Sequence, residues 1–221
     1  RITQLNPEGD FEIFVMNSDG SDVRQITVNN AVESWPRWSP DGQWIAFHSN
    51  VNGNFEIYVV RPNGTQLSRV TNYSGIDQFP EWSPTGEQLA IRRDSDIYLI
   101  RVDGSIPTKL TEFAGINQMA SFSPDGMQLA FMSTRAGYPS VFVMDVNGGN
   151  QTNLTLKPDN VPASQWSSRA PGWSRNGVTL YFTALRPETG ANENVWAMNP
   201  DGTGVTHLTI AMGSSAEAAV R

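Results

Sequence analysis

One threonine, met five times at nearly even spacing, limits what this chain can fold into. Gln25-Ile26-Thr27, Arg69-Val70-Thr71, Lys109-Leu110-Thr111, Asn153-Leu154-Thr155 and His207-Leu208-Thr209 close five copies of one unit, with threonines 44, 40, 44 and 54 residues apart. Ahead of each threonine stands Asp19-Gly20, Asn63-Gly64, Asp103-Gly104, Asn147-Gly148 or Asp201-Gly202. These are hairpin signals, because glycine accepts the positive φ that a tight turn demands. Before each turn runs a β-branched and aromatic stretch too short for a helix, such as Glu56-Ile57-Tyr58-Val59-Val60 or Asp96-Ile97-Tyr98-Leu99-Ile100. The unit opens with a further turn: Trp38-Ser39-Pro40-Asp41-Gly42, Trp82-Ser83-Pro84-Thr85-Gly86, Phe122-Ser123-Pro124-Asp125-Gly126 and, degraded, Trp173-Ser174-Arg175-Asn176-Gly177.

The unit therefore reads strand, tight turn, strand, loop, strand, tight turn, strand. Such a sheet is not stable alone, and here it stacks against copies of itself, as β-propeller blades do. At these residues the chain resembles the WD40-like repeats called PD40, found in TolB, the tricorn protease and prolyl-oligopeptidase-type propellers. The resemblance covers nearly the whole chain and is specific for fold rather than function. It implies a partner-binding platform, a gate on a hydrolase domain, or a carbohydrate-active domain. No α/β-hydrolase pattern follows within these residues, so the gating role has nothing to gate.

The expectation is an all-β, five-bladed β-propeller of four-stranded antiparallel blades, a single domain over residues 1–221. Four blades fall at about 33–71, 77–111, 117–155 and 168–209, and the first combines 1–27 with 216–221. Arg1–Gln4 align with Ile45–His48, so the chain starts inside a second strand. Thr27, Thr71 and Thr111 are each followed eleven residues later by a first-strand aromatic, and from Thr209 that offset reaches Val220. The tail then supplies the first strand of a composite blade and closes the ring. A monomer is preferred, with a strand-exchanged oligomer as the alternative use of the same tail.

A net charge of −7 and a pI near 4.8 argue against nucleic acid, since no basic face offsets phosphate repulsion. No apolar run approaches the length needed to span a bilayer. Without cysteine there are no disulfides, thiol nucleophiles or thiolate metal sites, a composition that suits periplasm, cell surface and cytosol alike. The opening at Arg1 without methionine reads as a mature or excised product, and the setting expected for it is periplasmic or extracellular.

Two insertions break the repeat, at Lys157–Trp166 and at Leu185–Glu193, and propeller geometry puts both on one face with the short Arg92-Arg93-Asp94-Ser95 loop. The expected binding face comprises Trp35, Phe79, Arg92, Arg93, Arg135, Tyr138, Trp166, Arg169 and Arg186, residue types that make interface hot spots. Trp35, Phe79 and Met119 share one repeat position, which suits packing between blades equally well. Glu33, Asp77, Asn117, Ser168 and Ser215 lie five residues before each first-strand aromatic, at the expected channel rim. Polar residues suit a wet rim, and Glu33, Asp77 and Asn117 also offer oxygen ligands for an axial Ca²⁺, the one cofactor considered. No catalytic residues are assigned, because His48 and His207 occupy different repeat positions and cannot converge on a triad or metal. The reading is a non-catalytic module that engages a protein partner through its loop face. A carbohydrate-binding or carbohydrate-active propeller is one alternative, and a structural protein assembling by terminal strand exchange is another.

Overall fold

The repeated threonine has the same task in every repeat. Its hydroxyl accepts the backbone N–H of Ile13, Ile57, Ile97, Val141 and Val195 from Thr27, Thr71, Thr111, Thr155 and Thr209 in turn, at 2.9–3.2 Å. The short outer strand cannot hold its neighbour by ladder bonds alone, and this hydroxyl adds one. The structure, a computed structural model, describes residues 2–5, 10–112, 115–187 and 192–209.

Five antiparallel sheets follow in chain order, each with its strands side by side. The first contains β1 (Ile2–Leu5), β2 (Phe11–Val15) and β3 (Arg24–Gln25). The second contains β4 (Glu33–Trp38), β5 (Ile45–Ser49), β6 (Glu56–Val60) and β7 (Ser68–Arg69). The third runs β8 (Asp77–Trp82), β9 (Gln88–Arg93), β10 (Asp96–Arg101) and β11 (Thr108–Lys109). The fourth runs β12 (Asn117–Phe122), β13 (Gln128–Ser133), β14 (Ser140–Asp145) and β15 (Thr152–Asn153). The fifth runs β16 (Ser167–Trp173), β17 (Leu180–Leu185), β18 (Asn194–Met198) and β19 (Thr206–His207).

Four sheets, not five, are complete among the described residues, because the first has three strands. The tail strand expected at 216–221, and with it the composite blade, ring closure and Ser215, lies outside the described residues. The start of the chain needs a correction of one residue. Gln4 pairs with Glu12 and Ser49 pairs with Glu56, so Gln4 matches Ser49 rather than His48.

Two compact units partition the chain: Arg1–Asp94 with Tyr98–Thr108, and Ser95–Ile97 with Lys109–Arg221. In the first unit, inward residues of successive sheets interdigitate. Ile13 and Val15 pack with Ile45, Phe47, Tyr58 and Val60, while Ala46, Ile57 and Val59 on the other face meet Trp82, Leu89 and Ile91. In the second unit Ala130, Val141 and Val143 meet Trp173, Leu180 and Phe182 in the same way. Period-2 alternation thus buries both faces of the inner strands. Among the described residues no helix is long and apolar enough to cross a membrane.

Candidate functional site

Every complete inner strand breaks its ladder at one place. The pairing shifts between Ser34 and Arg37, Gln78 and Glu81, Gln118 and Ser121, and Arg169 and Gly172. At these bulges Trp35, Phe79, Met119 and Ala170 hold φ of 59°, 54°, 57° and 49°. Bulky residues rarely take that left-handed conformation. The bulge turns the side chain out of the sheet, and Trp35 and Phe79 meet edge to face with centroids 4.8 Å apart. Arg37 lies 5.2 Å from the Trp35 ring and Arg92 lies 5.9 Å from the Phe79 ring. Beneath them His48 is buried, accepts the Phe79 N–H at 3.3 Å through Nδ1, and packs edge to face on Phe55 and Phe79. Burial first, and then the Arg92 charge, pushes its pKa down to about 3, so it stays neutral and acts as a structural acceptor. The position shared by Trp35 and Phe79 is therefore a bulge whose aromatic pair is supported from below.

The polar residues expected at a wet rim are instead buried. Glu33 is 2% exposed, and Asp77, Asn117 and Ser168 are 0% exposed. An arginine reaches back to three of them. Arg93 grips both Asp77 oxygens at 2.8 and 2.7 Å, Arg135 donates to Asn117 Oδ1 at 2.9 Å, and Arg186 donates to Ser168 Oγ at 2.8 Å. Arg93 and Arg135 thus hydrogen-bond to Asp77 and Asn117, two of the three residues expected to offer oxygens to an axial calcium. Among the described residues no group of three or more His, Cys, Asp or Glu side chains could hold a metal.

The same contacts engage several residues of the expected binding face within the fold. Arg186 is 4% exposed, stacks on Trp166 at 3.8 Å, and donates to the Ser167 carbonyl at 2.7 Å. Trp166 in turn donates its indole N–H to Thr155 O at 3.2 Å, so this pair anchors the inserted loop. Arg93 stacks on Tyr73 and Tyr98, and Arg135 on Phe131 and Phe142. Tyr138 Oη accepts the Lys157 N–H at 3.0 Å, which ties down the other end of the insertion. Arg169 is exposed and pairs with Glu193 at 2.8 Å. The arginines of the expected face differ in setting: Arg186 is buried, Arg93 and Arg135 are half-buried against a polar strand start, Arg92 is half-buried beside the aromatic pair, and Arg169 is exposed. Sequence reasoning missed Arg37 and the acids that begin the third strands, Glu12, Glu56 and Asp96. A recurrent acid at the head of an apolar strand was the available signal.

The TolB β-propeller domain family, PD40, matches residues 2–95 and 65–209. Among solved structures, TolB from Acinetobacter baumannii superposes with a TM-score of 0.76 at 21% identity, over 90% of this chain and 49% of that one. A TolB-like protein from Agrobacterium tumefaciens gives 0.75 at 23% identity, over 89% and 73%. An oligogalacturonate lyase in complex with manganese gives 0.64 at 15% identity, over 90% and 60%. The chain spans about half the length of the Acinetobacter protein. At these identities the likeness is one of fold: an all-β propeller of four-stranded antiparallel sheets.

Proposed function

Since the chain belongs to the TolB β-propeller family, PD40, we propose that it is a non-catalytic module that binds a protein partner through the Trp35–Phe79 patch. The observation that carries this reading is the choice of residue at the bulge. Ala170 fills the same position with the same backbone conformation, so the fold asks only for the φ. Tryptophan and phenylalanine suit that φ poorly, and such strain clusters where side chains are aimed at a ligand. Both rings are partly exposed and flanked by Arg37 and Arg92, the composition of an interface anchor. The histidines favour no catalytic role: His48 is buried and neutral, and His207 stacks on Trp196 at 4.5 Å. A periplasmic or extracellular setting fits this reading.

The test places a photo-crosslinking amino acid at position 35, 79 or 170 in the source cells. Protein adducts at 35 and 79 but not at 170 are expected. Trp35→Ala should then weaken the captured partner by about 1–4 kcal/mol with melting little changed. Adducts at all three positions, or at none, would remove the patch from consideration. Glycan-array binding lost in Trp35→Ala would move the assignment to the carbohydrate alternative.

A further inference from the structure

The repeats pair two positions at each junction between sheets: the acid that begins a third strand and the polar residue that begins the next inner strand. At the second junction these are Glu56 and Asp77, and two bases serve them. Arg69 binds Glu56 at 2.9 Å and Arg93 binds Asp77 at 2.7 Å. At the third they are Asp96 and Asn117, 3.2 Å apart through the amide. Lys109 binds Asp96 at 2.9 Å and Arg135 binds Asn117. At the first junction the pair is Glu12 and Glu33, and both bases are missing. Gln25 stands where Arg69 and Lys109 stand, and donates to Thr27 O. Ser49 stands where Arg93 stands, and donates to Glu33 Oε1 at 3.1 Å.

Both carboxyls are nevertheless buried, Glu12 at 0% and Glu33 at 2% exposed. One oxygen of each is satisfied: Glu12 Oε1 accepts the Asn29 N–H at 2.7 Å, and Glu33 Oε1 accepts Asn29 Nδ2 at 2.5 Å. The Oε2 atoms of both have no donor among the described residues, although the two carboxyls lie within hydrogen-bonding reach of each other. Thr27 also reaches Glu33 and works to lower its pKa, but two buried carboxyl oxygens left without a donor are unfavourable. The described groups that hydrogen-bond to them are neutral, namely Thr27 and Asn29 on the connector and Ser49 on β5. The charged groups on the packed elements are engaged elsewhere: Arg24 on β3 with Asp22 at 3.3 Å, and Glu56 on β6 with Arg69. His48 on β5 accepts the Phe79 N–H.

We propose that Glu12 and Glu33 share one proton, which supplies at the first junction the positive charge that arginine and lysine supply at the next two. The proton sits on one Oε2 and is donated to the other, which satisfies both orphaned atoms with one hydrogen. Two carboxylates with no third acidic or imidazole ligand among the described residues make a poor metal site, whereas a carboxyl–carboxylate pair needs nothing else. Burial, and then Glu12, raises the Glu33 pKa from 4.5 to about 7, so the junction is tight in mild acid and loosens as pH rises through neutrality.

Thermal melting of the full chain from pH 5 to pH 8.5, for the unmodified protein, Glu33→Gln and Gln25→Arg, tests the proposal. The unmodified protein should lose several degrees of melting temperature across neutrality. Glu33→Gln, whose amide is a permanent donor, should flatten that fall and melt higher than the unmodified protein at pH 8. Gln25→Arg should do the same by restoring the missing base. Carbon-13 NMR should show a glutamate carboxyl titrating near neutrality that is absent from Glu33→Gln. Parallel melting curves in all three proteins would overturn the proposal. So would a calcium-induced rise at pH 8 that Glu33→Gln abolishes, which would make the pair a cation site.

Discussion

At the scale of single residues, the second-turn glycines show how much one missing side chain decides. A Cβ on Gly104 would lie 2.0 Å from the Val70 carbonyl oxygen, and one on Gly148 would lie 2.8 Å from that of Leu110. Both carbonyls come just before a repeat threonine of the preceding sheet. Both glycines also hold positive φ, 79° and 88°. Gly42, at φ 68° with nothing within 4 Å, needs only the conformation. Gly42→Ala should therefore cost about 1–2 kcal/mol, and Gly104→Ala substantially more, because turn and neighbour must both move. Denaturant melts of the two variants check the order, and equal losses would mean that the close approach relaxes freely. The glycine and threonine positions were legible in the sequence because each repeat imposes the same local demand. The left-handed Trp35 and Phe79 were not, because Pro36 and Pro80 follow them and the residue before proline favours extended backbone.

At the scale of elements, the inner strands of the third, fourth and fifth sheets are each held at their start by an arginine on a buried polar residue. In the third sheet this contact is an ion pair, with Asp77 at 0% and Arg93 at 14% side-chain exposure. Burial raises the Asp77 pKa even though Arg93 opposes that shift. Removing the arginine leaves a buried charge without its partner, so Arg93→Met should destabilise by about 3–5 kcal/mol. The double variant Arg93→Met with Asp77→Leu should recover most of that loss, and failure to recover would show that the guanidinium matters through its stacking on Tyr73 and Tyr98. The sequence showed polar residues at a fixed place in every inner strand but not their burial. Arg135 and Arg186 lie 18 residues beyond Asn117 and Ser168 while Arg93 lies 16 beyond Asp77, and this irregular spacing concealed a shared role.

At the scale of the whole molecule, two sets of carboxyls pull stability in opposite directions with pH. The exposed turn aspartates Asp19, Asp41, Asp103, Asp125 and Asp201 accept from a serine or threonine hydroxyl and from backbone N–H groups, which lowers their pKa values. Their contribution is present above the ordinary aspartate value of about 3.8 and fades as pH falls below it. Glu33 is shifted the other way. Its contribution is full below about 4.5 and fades as pH rises toward about 7. The melting temperature should therefore peak between about pH 4 and pH 5, and a maximum above pH 7 would show that another group dominates.

Several links between consecutive sheets have their donor in the later sheet and their acceptor in the earlier one. Trp82 and Trp173 donate their indole N–H groups to carbonyls of Arg37 and Ser121 in the preceding sheet. Asp77, Asn117 and Ser168 donate backbone N–H groups to Phe55, Ser95 and Pro139, again earlier in the chain. The turn glycines likewise close on carbonyls already passed. A chain leaving the ribosome from its N-terminus therefore meets each landing site after that site has been made, so that synthesis itself can set the order of assembly. As a hypothesis, nascent chains stalled after Thr71, Thr111 and Thr155 should gain protease resistance one sheet at a time, and resistance arriving only with the finished chain would contradict it.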